Sequence, residues 1–228
     1  MGLAGLGGSG SLAAQTLANH GAHVLVQPGA AVVVRGSVAN AAGSTLTNAG
    51  TLLPTRDFTN AGALSSAGWL VFAGAVDQTL TPSGSNLAQV EVRNTGGAGT
   101  NRGLVPGDVT LTGQLLLTQS GVRTGPTALL TLPPGATVLG EVPGRYVRGN
   151  LRVVHDLVTD VRDFGNGLTL DATGAPLGTV TATRTAGLTT ADVSYATNPN
   201  GGLSKGIDRI WALTSTLAPA PALPLTFS

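Results

Sequence analysis

Short apolar runs, separated by turn residues, extend along most of the chain. Residues 24–26 and 32–34 are apolar runs joined by a Gln-Pro-Gly turn, and the same rhythm continues downstream. Runs of three to five apolar or threonine residues between Gly or Asn are typical of strands, since amphipathic helices need a longer apolar period. The pattern therefore predicts an all-β protein built from many short strands.

The chain also repeats itself imperfectly. Residues 45–53 align with residues 63–71 at an offset of 18, and residues 38–40 align with 58–60 at an offset of 20. Repeats of about 20 residues that carry strand patterns are typical of solenoid coils, whose inward positions stack on the next coil. With the usual hand of parallel β crossovers, this predicts a right-handed parallel β-solenoid (β-helix) over residues 15–143.

Glycine and asparagine at equivalent positions of the repeats are the candidate structural residues. Gly50 and Gly68 are aligned in one pair of repeats, and Asn40 and Asn60 are aligned in the other. Coil corners need positive φ, which Gly and Asn adopt at low cost, and we expect Gly50 and Gly68 at such corners. Asn40 and Asn60 either stack as an internal ladder or serve as two independent turn residues, and the pattern leaves both open.

The pattern changes near residues 143–145. Longer alternating strands follow, such as residues 178–184 and 208–214, with turns between them. This spacing predicts a partial antiparallel β-sandwich over residues 144–228. Ser228 falls inside or directly after a predicted strand, so we expect the chain to be part of a longer protein.

Composition excludes several classes of protein. The chain has 34 Gly and 13 Pro in 228 residues, which opposes helical bundles, and it has no Cys for disulfides. Its net charge of +1 gives almost no field directed at phosphates, so nucleic acid is not an expected partner. Outside the N-terminal segment no run approaches the roughly 18 apolar residues of a membrane helix, so no membrane insertion is expected.

Residues 1–14 are uncharged and end in two alanines before Gln15. This predicts the remnant of a secretory signal peptide without its basic region, and a plain Gly-rich terminus is the alternative. The segment contains a GxGxxG pattern at residues 5–10. No strand precedes it and no βαβ unit surrounds it, so we expect no dinucleotide site and no cofactor.

The chain offers no clear catalytic or metal site. His20 and His23 would face opposite sides of a strand, so they would not converge on a metal. The acidic residues of the solenoid are scattered, and no G-x-S-x-G elbow is present. Near His155, three aspartates alternate with arginines, which favours a self-compensated surface over a calcium site. We therefore predict no catalysis and no metal.

Residues 44–84, STLTNAGTLLPTRDFTNAGALSSAGWLVFAGAVDQTLTPSG, resemble the surface β-helix proteins of the Bacteroidota. The later segments AQVEVRNTGG, DVTLTGQLLLTQSGVRTG and GRYVRGNLRV follow in the order typical of that family. Residues 206–211 resemble its G-I-x-R-x-W strand. The resemblance extends over about residues 15–228.

The resemblance implies a secreted or outer-surface protein with a structural or adhesive role, and with glycans or extracellular matrix as partners. Such proteins typically end in a sorting domain that the type IX secretion machinery recognises. No such domain is visible here, which is a second reason to expect a truncated chain. Two alternatives remain: a carbohydrate-active or carbohydrate-binding β-helix module, and a passive spacer for a missing C-terminal domain.

Overall fold

The structure, a computed structural model, describes residues 15–96, 103–187, 209–218 and 223–227. Every regular element in these ranges is a β-strand, which confirms the predicted all-β class. The signal-peptide prediction for residues 1–14 lies outside the described residues.

The first three coils contain three strands each, one on each face of the solenoid. The nine strands are β1 (Leu17–Asn19), β2 (His23–Val26), β3 (Ala31–Val34), β4 (Val38–Asn40), β5 (Thr45–Asn48), β6 (Thr51–Pro54), β7 (Phe58–Asn60), β8 (Ala63–Ser66) and β9 (Trp69–Phe72). One face pairs β1, β4 and β7; the second pairs β2, β5 and β8; the third pairs β3, β6 and β9.

The later strands continue two of these faces and then change direction. They are β10 (Gln78–Thr81), β11 (Leu87–Val92), β12 (Gly103–Val105), β13 (Val109–Leu117), β14 (Val122–Thr124), β15 (Leu129–Leu132), β16 (Thr137–Leu139), β17 (Val147–Val158), β18 (Val161–Asp163), β19 (Leu168–Asp171), β20 (Gly178–Ala186), β21 (Arg209–Ser215) and β22 (Leu225–Phe227).

The strand register follows the sequence repeats. Asn40 pairs with Asn60 between β4 and β7, and Thr45 pairs with Ala63 between β5 and β8, both in parallel ladders. These are the offsets of 20 and 18 at which the sequence aligns with itself. The predicted parallel β-solenoid is therefore confirmed, with about six turns.

Alternate residues of most strands in the coils fill the interior. Leu46, Leu52, Phe58 and Leu70 are each 1–2% exposed, and all belong to one hydrophobic core. Burial of one side chain of this size stabilises the folded state by roughly 1.5–3 kcal/mol. Because the side-chain period of a strand is two, the intervening residues face outward and form the surfaces of the solenoid.

The chain reverses direction after β17. This 12-residue strand pairs in parallel with β14 and β15 and antiparallel with β20. β20 in turn pairs with β21, and β18, β19 and β22 form a second antiparallel sheet. Apolar side chains of both regions join the same core as the coils. The domain bounds 15–143 and 144–228 stay a prediction.

Candidate functional site

A row of buried asparagine side chains runs along the inside of the first three coils. Asn19 Nδ2 donates to Asn40 Oδ1 at 2.8 Å, and Asn40 Nδ2 donates to Asn60 Oδ1 at 2.7 Å. The same amides donate to main-chain carbonyls near the corners, including those of Thr45 and Ala63. Of the two alternatives for Asn40 and Asn60, the structure places them in a stacked ladder.

These asparagines lie in strands and not at positive-φ corners. The described non-glycine residues with positive φ are Ser83 and Leu157. Neither Asn40 nor Asn60 therefore forms a left-handed turn. Their role is to satisfy backbone groups inside the coil, because an unpaired buried carbonyl is costly. Asn19 was missed, although residues 17–19 align with 38–40 at an offset of 21.

Gly50 and Gly68 stack on each other in successive coils, but neither has positive φ. A Cβ on Gly68 would lie 2.0 Å from the carbonyl oxygen of Gly50. A Cβ on Gly50 would lie 2.3 Å from the carbonyl oxygen of Gln27. The expected reason for these glycines was thus wrong: they allow close approach of neighbouring coils. Positive φ occurs at other corners, such as Gly43 at +78°.

A second buried polar row, which the sequence reasoning missed, continues from the third coil. Gln78 is fully buried and donates through Nε2 to the carbonyls of Pro54 and Arg56, at 3.0 and 2.7 Å. Its Oε1 accepts from the Gly74 main-chain nitrogen and from Asn94 Nδ2. Side-chain amides therefore form hydrogen bonds between neighbouring coils inside the solenoid over several turns.

The outer faces of the first coils are free of formal charge. The ten strands from β1 to β10 contain no Asp, Glu, Lys or Arg. In residues 15–81 the charged side chains of these four types lie in the turns, at Arg35, Arg56, Asp57 and Asp77. Uncharged side chains at paired positions of successive coils form outward-facing rows, which we call lanes. One lane consists of Leu25, Thr47 and Ser65.

A buried ion pair joins the last part of the solenoid to the antiparallel region. Arg184 on β20 is fully buried and contacts both carboxylate oxygens of Glu141, at 2.6 and 2.7 Å. Its guanidinium also donates to the carbonyls of Asn166 and Val147. Because the charge is paired and hydrogen-bonded, it is tolerated in the core. This pair was not predicted, since 43 residues separate its members.

A cleft of about 590 Å³ is lined by residues of β12, β14, β17 and β20 and by residues directly after β12, β14 and β20. Arg123 and Arg148 line it as partners in the parallel register of β14 and β17, and both side chains are exposed. Leu104, Pro106 and Pro126 contribute apolar surface. The described lining residues include no Asp or Glu. The cleft is thus positive and partly apolar.

Two of the aspartates near His155 have separate partners. Asp156 accepts from the Thr179 hydroxyl, and Asp160 pairs with Arg162 at 2.8 Å. His155 packs edge-on against Phe164, with ring centroids 4.7 Å apart. Partial burial, and then the nearby Arg162 guanidinium, lower the pKa of His155 below its ordinary value.

The candidate metal residues do not come together in the described part of the chain. His23 contacts the Thr47 hydroxyl at 3.0 Å, and His20 is exposed. No group of three His, Asp or Glu side chains converges anywhere in the described ranges. The predicted absence of a metal stays a prediction.

Among the described residues, no helix is long and apolar enough to cross a membrane. The fold defines the chain as a parallel β-solenoid protein with an antiparallel region at one end. No protein-family model, curated protein or solved structure matches it.

Proposed function

We propose that this protein is a non-enzymatic structural or adhesion protein of the cell exterior, whose solenoid faces contact glycans, matrix or other surfaces. The observation that supports this most is the separation of charge from the sheet faces. Ten successive strands carry no Asp, Glu, Lys or Arg, and their outward lanes consist largely of Thr, Ser, Ala, Val and Leu.

Such a surface suits repeated weak contacts with neutral, hydroxyl-rich partners. Neighbouring strands of a sheet lie about 4.8 Å apart, so the lanes present hydroxyl and methyl groups at short, regular intervals. Thr47 and Ser65 follow each other in one lane, and Thr59 is exposed in another. Many weak contacts on one rigid body add up to useful avidity.

The extracellular setting is supported by the resemblance to Bacteroidota surface β-helix proteins and by the low charge of the chain. In this proposal the protein is secreted and remains at the outer surface or is released. In this proposal the type IX secretion machinery exports the protein. Labelling of intact cells with an antibody to this chain tests the location, and signal only after lysis would contradict it.

A glycan array with a product assay tests the activity. Wild type should bind neutral polysaccharides without releasing products, and turnover of any polysaccharide would contradict the non-enzymatic role. Ser65→Lys and Thr59→Lys each place a charge on one sheet face, and we expect weaker binding from the variant whose face makes the contact. Ala42→Lys adds the same charge in an exposed turn and is the matched control. Absence of binding to every glycan and matrix component would favour a passive spacer.

A further inference from the structure

We propose that the cleft beside β12, β14 and β17 binds acidic glycans through Arg123 and Arg148. The inference rests on the proposed function, because it names a class of glycan and the residues that recognise it. It concerns a later, charged part of the sheet that begins with β1, β4 and β7, and not the uncharged strands of the first coils. The two ideas can therefore fail separately.

The two arginines form a pair that lacks a counter-ion among the described residues. Arg123 and Arg148 are register partners in neighbouring parallel strands, which lie about 4.8 Å apart in a sheet. Like charges directly opposite each other are unfavourable. In contrast, Arg184 pairs with Glu141 and Arg162 pairs with Asp160. An anionic group held between the first two guanidinium groups would remove the repulsion.

The backbone around the pair leaves space for this arrangement. A Cβ on Gly187 would lie 2.3 Å from Cγ and 2.4 Å from Nε of Arg148. The missing side chain at Gly187 thus lets the arginine lie against the main chain at the edge of the cleft. Gly149, with φ of +100°, leaves room for the Thr124 hydroxyl, which accepts from the Asn150 nitrogen.

The chemistry of the lining favours a sugar acid or a sugar sulfate. Guanidinium groups bind carboxylate and sulfate-like oxyanions with two parallel hydrogen bonds. The apolar surface of Leu104, Pro106 and Pro126 suits the C–H face of a pyranose ring. The volume of about 590 Å³ lies within the usual range of small-ligand clefts.

Nucleic acid fits the cleft less well. The described lining residues include no aromatic side chain on which a base could stack, and the whole chain has a net charge of only +1. Binding of single strands normally combines stacking platforms with a basic groove. We therefore assign the cleft to acidic polysaccharide, and single-stranded DNA becomes a competing arm of the test.

The experiment measures binding of the full chain to four immobilised polymers. Polygalacturonate supplies carboxylates, heparin supplies sulfates, dextran is neutral, and single-stranded DNA supplies phosphates. We expect one or both acidic polysaccharides to bind more tightly than dextran and DNA, with affinity that falls as salt rises. The double variant Arg123→Gln/Arg148→Gln should weaken that binding by at least about tenfold, because it removes charge-assisted hydrogen bonds.

The control removes the same charge elsewhere. Arg35→Gln/Arg56→Gln alters two exposed arginines in turns of the early coils, and we expect its affinity to stay within about twofold of wild type. Arg123→Lys/Arg148→Lys keeps the charge but loses the planar fork, so we expect an intermediate loss. Thermal melting of each variant identifies loss of folding.

Three results would overturn the assignment. The first is equal loss in the cleft and control variants, which would indicate non-specific charge. The second is tighter binding of DNA than of either acidic polysaccharide. The third is absence of acidic polysaccharide binding. If neutral glycans still bind in that third case, the proposed adhesion by the uncharged faces remains supported while the cleft assignment fails.

Discussion

Asn40 lies in the middle of the buried asparagine row, and its replacement by alanine tests how the coils are held together. The side chain accepts one hydrogen bond from Asn19 and donates to Asn60 and to the Ala63 carbonyl, all between 2.7 and 2.9 Å. Asn40 itself is 2% exposed, so water cannot readily replace these partners.

The expected loss follows from the groups that Asn40→Ala leaves unpaired. Asn60 Oδ1 and the Ala63 carbonyl each lose the donor that Asn40 supplies. An unsatisfied buried polar group costs about 1–3 kcal/mol, so two such groups give about 4 kcal/mol as a central value. For a chain of this length, this corresponds to a fall of about 8–16 °C in Tm.

Urea denaturation and thermal melting of wild type and variant measure the change in the free energy of unfolding. Thr59→Ala is the matched control, because Thr59 is exposed on the neighbouring strand β7 and its change should stay within about 0.5 kcal/mol. Repeat proteins can unfold in parts, so hydrogen exchange of the first three coils serves as a local readout.

Asn40→Asp removes the hydrogen-bond donor but keeps the volume of the side chain, so it separates the two contributions to the loss of stability. The ionised carboxylate keeps an acceptor for Asn19 but offers no hydrogen to Asn60 or Ala63. Burial raises the pKa of such a carboxyl, so its stability relative to wild type should be lower at about pH 7 than at about pH 4. A loss in Asn40→Ala no larger than in Thr59→Ala, with no pH effect in Asn40→Asp, would refute the reasoning.

Three further predictions concern packing, the buried ion pair and pH. Gly68→Ala should lower Tm clearly, because its Cβ would lie 2.0 Å from a carbonyl oxygen. In the control Gly107→Ala, the added Cβ meets no atom within 4 Å, so Tm should stay the same or rise slightly. Equal Tm values for the two variants would contradict the packing argument. Arg184→Met should cost about 3–5 kcal/mol by urea denaturation, and adding Glu141→Gln should recover part of it; strict additivity would argue against coupling. The pKa of His155 is lower in the folded state than its ordinary 6.5, so stability should decrease as pH falls through about 6.5, and His155→Phe should flatten this dependence in melts from about pH 7.5 to 5.

Sequence repeats determined the architecture and the register of the early coils. The offsets of 20 and 18 correspond to the observed pairs Asn40–Asn60 and Thr45–Ala63. This worked because each coil contacts mainly its neighbours, so structural contacts have nearly constant sequence separation. The same logic could have found Asn19, which pairs with Asn40 in register.

The sequence identified Gly50 and Gly68 as structural residues but not for the correct reason. Glycine permits both positive φ and close approach of backbones, and the pattern of residues alone does not distinguish these uses. Only the stacking of the coils shows that the space above each glycine is filled by a carbonyl oxygen of the preceding coil. In the same way, only the fold shows that Asn40 and Asn60 lie in strands with their side chains stacked inside the coils.

Residues that come together across the chain without repeat spacing were decided by tertiary structure alone. Arg184 meets Glu141 only because β20 runs back along β17. Arg123 lies beside Arg148 because β14 pairs with β17 at an offset of 25, which differs from the offsets of 20 and 18 that the sequence repeats show. The chain itself thus determined strand class, turn chemistry and nearest-neighbour register. The buried ion pair and the basic cleft required the solenoid to end and the chain to reverse, because a sequence pattern records local periods and not which distant strands meet.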